Sequence, residues 1–175
     1  DVCESHGAKF RNKKLGNFLD ISNFSFYYAH HMSTIEGGMV CTNNKNIYEK
    51  IRIMRGHGLL RESTDKNLKI KKIKEFKNLN KEFLFLYPGY NLRSTEINAV
   101  YGISQIKNLD KNNQKRIANF KFFLKNLDSD KYVTNFNIFG SCNYAFIILF
   151  NKKYRNLKFR EKFERTLNKN NIEHR

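Results

Sequence analysis

The hydrophobic positions of this chain fall into short runs of two different periods. Ile21 to Tyr28 alternates in part and is rich in aromatic residues, the pattern of a half-buried strand. Gly37 to Thr42 reads as the second strand of a hairpin, with a polar loop from His30 to Ile35 between the two. Asn43-Asn44 then gives a turn and helix-cap signal. Ile47, Ile51 and Met54 share one face of a helix that runs to Arg55 and stops at Gly56-His57-Gly58. Residues 61–82 are highly charged and form an exposed excursion. Within it Ile70, Ile73 and Phe76 sit at near-helical spacing among Lys69, Lys71, Lys72, Lys74 and Lys77, as on a surface helix.

The apolar run Phe83 to Tyr87 ends at Pro88-Gly89. Ser94 is placed to cap the next helix, with Glu96 in its first turn favoured by the helix dipole. Ile97, Val100, Tyr101, Ile106 and Leu109 give that helix a stripe to bury, and Ile117, Phe120, Leu124 and Leu127 give a second helix its own. Asp128-Ser129-Asp130 is a break. Beyond it Tyr144 to Phe150 reads as a buried strand, and Phe159, Phe163 and Leu167 mark a final helix ending near Asn170-Asn171. Residues 1–9 look like the end of a strand running into a glycine turn, where α/β folds gather their polar site residues. The pattern is that of an α/β chain, with residues 1–128 in a larger unit and 129–175 beginning a smaller one.

Composition alters this picture little. The net charge is +17, which would suit a nucleic-acid partner. The basic residues are spread along the chain, however, and their densest cluster is the lysine face just described, so a solvated surface is the simpler reading. No nucleic-acid partner is expected, although a basic surface favours an anionic, nucleotide-type substrate. Cys3, Cys41 and Cys142 are far apart and form no CxxC pair, as expected of reduced thiols in a cytoplasmic protein that uses no metal. No apolar run approaches the roughly 18 residues of a membrane span, and no signal peptide or membrane partner is expected. The chain opens at Asp1 without an initiator Met and is read as a piece of a longer polypeptide.

Candidate chemistry centres on Asp1, Glu4, Ser25 and His30. A carboxylate can hold a pyridine nitrogen protonated, a hydroxyl beside a loop can bind phosphate, and an imidazole can move a proton near neutral pH. Those are the requirements of a pyridoxal phosphate site, where the protein supplies orientation and electrostatics.

Longer motifs carry a resemblance over nearly the whole chain. Asp1 through Ala8, Phe24 through Gly38, Gly89-Tyr90-Asn91-Leu92-Arg93 with Glu96-Ile97-Asn98-Ala99, Arg116, and Asn171-Ile172-Glu173-His174-Arg175 are similar to successive segments of the DegT/StrS sugar aminotransferases. The resemblance implies a fragment of the three-layer, fold type I, pyridoxal phosphate-dependent aminotransferase-like fold: the later part of the large domain plus the beginning of the small one. It implies that Asp1 pairs with the pyridine nitrogen and that Glu4 lies near the ring hydroxyl. Ser25 would bind the cofactor phosphate, Asn91 would reach the partner's phosphate across a homodimer interface, and Arg175 would lie near the nucleotide sugar.

The chain departs from the family where the Schiff-base lysine falls, at His30. Imidazole has no primary amine and cannot form that tether. The sugar 3-dehydratase branch of the family shares this replacement. Membership there implies that glutamate converts the cofactor to pyridoxamine phosphate and that the histidine acts as base. A nucleotide-linked 4-keto-6-deoxyhexose, expected to be GDP-4-keto-6-deoxymannose, would then lose its 3-hydroxyl, as in deoxysugar and O-antigen synthesis. The related iron–sulfur route is disfavoured, since residues 56–88 contain no cysteine. His31 stands as a loop-orienting neighbour or as the alternative base. His6 and His57, beside glycines, are expected to serve turn hydrogen bonds. A nucleotide-sugar aminotransferase and a non-catalytic truncated relative are the competing readings.

Overall fold

The computed structural model describes residues 1–175. Two short strands, β1 (Lys9–Phe10) and β2 (Lys13–Lys14), pair in a tight turn, and β3 (Ile21–Ser25) pairs antiparallel with β4 (Gly38–Thr42). The expected hairpin is therefore present, with Ser25 opposite Gly38 at its mouth. Four helices follow: α1 (Lys45–Arg55), α2 (Lys66–Glu75), α3 (Glu96–Asn126) and α4 (Leu157–Lys169). No helix is long and apolar enough to cross a membrane.

The helix ends follow local side-chain chemistry. Asn44 caps α1, its side-chain oxygen accepting from the backbone N–H groups of Asn46 and Ile47. Thr95, one residue beyond the expected Ser94, caps α3 and forms a reciprocal capping box with Asn98. Asp65 caps the lysine-rich α2, which buries nothing, in keeping with a solvated surface helix.

Several expectations fail. The two helices read between Ile97 and Leu127 are one helix of 31 residues, because no glycine or proline interrupts the run from Ile103 onward. The apolar stripe of its first half is also not buried: Ile97 is 77% exposed, Val100 69% and Ile106 59%, whereas Ile117, Phe120 and Leu124 in its second half are half-buried. Secondly, Tyr144–Phe150 forms no strand. Its ladder is a single antiparallel bridge between Tyr132 and Phe150, with Val133 N donating to Leu149 O at 2.8 Å, and Ile147 faces solvent. Without a second partner strand the alternation of this run has no sheet to enter. Residues 1–5 likewise form turns beside β3, attached by Val2 N to Asn23 O at 2.9 Å.

The core is small, with 18 of 175 residues buried. Ile53, Leu59, Leu60 and Leu84 pack under α1, and Val2, Ala8, Met32 and Cys142 surround the loop after β3. The accessible surface is 13646 Å². A compact monomer of this mass would expose about 9,000 Å², and exposed apolar side chains occur along the whole chain, α3 included. After residue 128 a separate aromatic cluster forms, in which Phe150 meets Phe159 and Phe163 edge-on at 5.1 and 5.4 Å between ring centroids.

One buried carboxylate ties α1 to the start of α2. Glu49 accepts from Ser63 Oγ at 2.5 Å, from Thr64 N at 2.9 Å and from Thr64 Oγ1. Burial alone would push its carboxyl up, but these donors outweigh it and hold the pKa at about 2. Replacing Glu49 with Ala strands three donors, so Glu49→Ala should cost about 2–4 kcal/mol in denaturant unfolding, more than Glu49→Gln, which keeps an acceptor.

Candidate active site

The site is built outward from β3. At its middle, Asn23 Nδ2 donates to Asp1 Oδ1 at 3.2 Å, and Cys3 N donates to the same oxygen at 2.9 Å. One carboxylate oxygen of Asp1 is thereby fixed, and Oδ2 keeps its lone pairs for another donor. At the far end, Ser25 Oγ accepts from Tyr27 N at 3.2 Å, which turns the chain out of the sheet and leaves the hydroxyl hydrogen free.

The loop that follows is held under strain. Ile35, a β-branched residue, has φ 71°, in the left-handed region. Asn98 of α3 reaches both sides of it, donating to Thr34 O at 2.8 Å and to Glu36 O at 3.2 Å. Thr34 Oγ1 also donates to Glu36 O at 2.8 Å. At Gly37, φ +155°, a Cβ would lie 2.5 Å from Thr34 Oγ1, so the tight return into β4 requires glycine.

Three histidines converge beneath this loop. His31 is buried, and its Nε2 lies 2.8 Å from Cys142 O. A carbonyl only accepts, so Nε2 carries the proton and Nδ1, buried without a partner, is the bare nitrogen. His6 is buried against Phe24, Phe26 and the His31 ring, at centroid distances of 5.6, 5.9 and 5.8 Å. Neither of its ring nitrogens has a partner. Burial first, then the proximity of His31 and His30, pushes its pKa down to about 4. The expectation that the His6 ring makes turn hydrogen bonds is thus wrong. It is an aromatic core residue, and its turn is held through its carbonyl, which accepts from Asn113 Nδ2 at 2.7 Å. His57 sits in its turn through its backbone, at φ 64° with its N–H donating to Tyr90 O.

His30 is placed differently. Its N–H closes a turn onto Tyr27 O at 3.0 Å, and its ring lies between Tyr27 and Tyr144, edge-on to both at 5.5 and 5.3 Å. Nδ1 is buried and unpartnered. Nε2 makes no hydrogen bond within the protein and remains accessible.

Asp1, Ser25 and His30 are therefore linked through one strand and its exit turn. Glu4 is exposed and lines a cavity of about 480 Å³ with Ser141, Cys142 and Tyr144. Asn91 and Arg175 hydrogen-bond to none of these residues: Asn91 bridges to Gly56, and Arg175 is exposed beyond α4. Sequence reasoning missed Tyr144 and Asn113. Tyr144 is one aromatic among many, and Asn113 lies in a polar Asn112-Asn113 pair that reads as helix surface, although it is buried.

Known proteins share both sequence and fold with this chain. A GDP-4-keto-6-deoxy-D-mannose 3-dehydratase from Escherichia coli O55:H7 is 37% identical over 133 residues, 76% of this chain and 34% of that protein. A UDP-4-amino-4,6-dideoxy-N-acetyl-beta-L-altrosamine transaminase from Campylobacter jejuni is 31% identical over 138 residues, 79% of this chain and 32% of that protein. The structure of an E. coli GDP-4-keto-6-deoxy-D-mannose-3-dehydratase with bound hydrated PLP superposes with a TM-score of 0.82 at 30% identity, covering 99% of this chain and 44% of that one. The chain thus spans about a third of the length of these curated relatives and carries part of an aminotransferase-like α/β fold. The model of the DegT/DnrJ/EryC1/StrS aminotransferase family matches residues 1–175, and the chain belongs to that family.

Proposed function

We propose that this chain contributes the base and part of the cofactor cradle of a pyridoxal phosphate-dependent nucleotide-sugar 3-dehydratase. The observation that carries the reading is His30. It keeps Nε2 accessible at the mouth of the hairpin, while His31 commits its Nε2 to Cys142 O. No lysine lies between Lys14 and Lys45, so the hairpin and its loop offer no amine for a covalent tether.

The residues present fit the cofactor. Asp1 Oδ2 is unclaimed by protein donors and suits a protonated ring nitrogen. The free hydroxyl hydrogen of Ser25 suits a phosphate oxygen. By the family resemblance, Glu4 would lie near the ring hydroxyl, Asn91 would serve the partner subunit of a homodimer, and Arg175 would lie near the nucleotide sugar. When bound, pyridoxamine phosphate supplies the primary amine and the electron sink. His30 Nε2 accepts the proton released beside that amine as the sugar loses its 3-hydroxyl. Glutamate would be the amino donor, and ammonia and a 3-deoxy keto sugar would be the products. In this reading residues 1–128 belong to the large domain and 129–175 open the small one, within a cytoplasmic enzyme.

The transaminase relative supports a second reading, aminotransfer to a nucleotide-linked keto sugar. Products separate the two. Supplied with pyridoxal phosphate, glutamate and GDP-4-keto-6-deoxymannose, the purified full-length enzyme that contains this chain should release ammonia and form a 3-deoxy sugar; a stable 4-amino sugar instead would establish aminotransfer. His30→Gln should lower kcat at least about 100-fold, with cofactor absorbance retained.

Burial of His6 sets a pH limit on the site. Its folded pKa lies below its unfolded value, so the unfolded chain binds more protons in the window from about 6.5 down to about 4. Stability should therefore fall as pH drops through that window, by about 1 kcal/mol between roughly pH 7.5 and pH 5.5 from this group. His6→Phe should flatten that part of a stability-against-pH curve measured by denaturant unfolding.

A further inference from the structure

The segment Gly140–Tyr144 has no regular structure, yet it is pinned at almost every residue. Gly140 O accepts from Lys9 N of β1 at 2.8 Å. Cys142 O accepts from His31. Asn143 O and Tyr144 O both accept from Arg116 Nη1 of α3, at 3.4 and 3.0 Å. Ser141 Oγ donates to Asn143 Oδ1 at 2.6 Å, and Asn143 takes a positive φ of 21°. Gly140 is at φ +75°, where a Cβ would lie 2.1 Å from Lys9 O, so only glycine brings the segment this close to β1. Three separate elements thus hold a short coil in one place.

What that coil delivers is the ring of Tyr144. It meets the His30 imidazole at 5.3 Å between centroids and 75° between planes, the edge-to-face geometry that aromatic pairs favour. Tyr27 meets the same imidazole at 5.5 Å and 71°. Between the two rings the imidazole has little room to rotate, and it is held with Nδ1 inward and Nε2 accessible. The Tyr144 hydroxyl makes no hydrogen bond within the protein, so the contact belongs to the ring.

We propose that Tyr144, held through its carbonyl by Arg116, is a positioning residue that fixes the His30 imidazole with Nε2 presented for proton transfer. The catalytic part of this statement rests on His30 being the base; the positioning part does not. A small error in aim at a reacting centre costs rate far more than it costs binding.

The test combines kinetics with 13Cε1-labelled histidine NMR, the His30 signal being assigned by its loss in His30→Gln. The wild type and Tyr144→Phe should each give one narrow His30 ring signal. Tyr144→Leu should give a broadened or doubled signal at unchanged far-UV circular dichroism. In the 3-dehydratase assay Tyr144→Leu should lose about tenfold in kcat with KM within about twofold, and Tyr144→Phe should stay near wild type. If Tyr144→Leu misfolds, Arg116→Gln, which keeps the tyrosine but releases the carbonyls that fix where its ring sits, should give the same broadened signal. A single narrow His30 signal in a folded Tyr144→Leu variant overturns the proposal, and so does a loss in Tyr144→Phe equal to that in Tyr144→Leu. The ring signals decide the positioning claim whether or not the sugar is dehydrated, so an inert wild type with the expected signals would overturn only the 3-dehydratase reading proposed above.

Discussion

Side-chain donors on α3, satisfying the carbonyls of irregular backbone, hold this structure together. Asn98 takes Thr34 O and Glu36 O, Asn113 takes His6 O, and Arg116 takes Asn143 O and Tyr144 O. These carbonyls belong to three segments far apart in sequence, none of which lies in a sheet wide enough to pair them. Each bond contributes on the order of 1 kcal/mol net, but leaving a buried carbonyl unpaired would cost more. One long helix thus acts as a rail of donors on which the amino-terminal turn, the histidine loop and the Gly140–Tyr144 segment are registered against one another.

How legible this was depended on the range of the interaction. The hairpin, the Asn44 cap and the end of α1 at Gly56 follow from chemistry within a few residues, and the sequence displays them. The shift of the α3 cap from Ser94 to Thr95 is a contest between adjacent hydroxyls, decided by Asn98 three residues beyond Thr95. The apolar stripe of α3 was readable as apolar, but periodicity cannot say whether a surface exists to cover it. The run Tyr144–Phe150 failed for a related reason: alternation marks a segment able to pair, and pairing needs a neighbour.

Around the site, the family motifs placed Asp1, Ser25 and His30, which the structure joins through β3 and its exit turn. They covered His6 but gave it no role; the adjacent Gly7 invited a turn reading, and the aromatic surroundings come from Phe24 and Phe26, far along the chain. The two buried carboxylate and imidazole environments also contrast. Glu49 is buried among donors and stays charged, whereas His6 is buried among rings and stays neutral. Sequence alone gives the residue type in both cases. The charge state is set by partners that only the fold supplies.

The close approach at Gly140 has a consequence for how mutations would read. That residue has no side chain, and its bare Cα lets its carbonyl lie against β1. Yet any added side chain would displace the coil that carries Tyr144 and receives His31. In a map of tolerated substitutions, position 140 would be grouped with the residues around His30, although it carries no functional group of its own. Intolerance to substitution at this position would report a distance between two backbones, and would be mistaken for chemistry by any method that sees only which changes are lost.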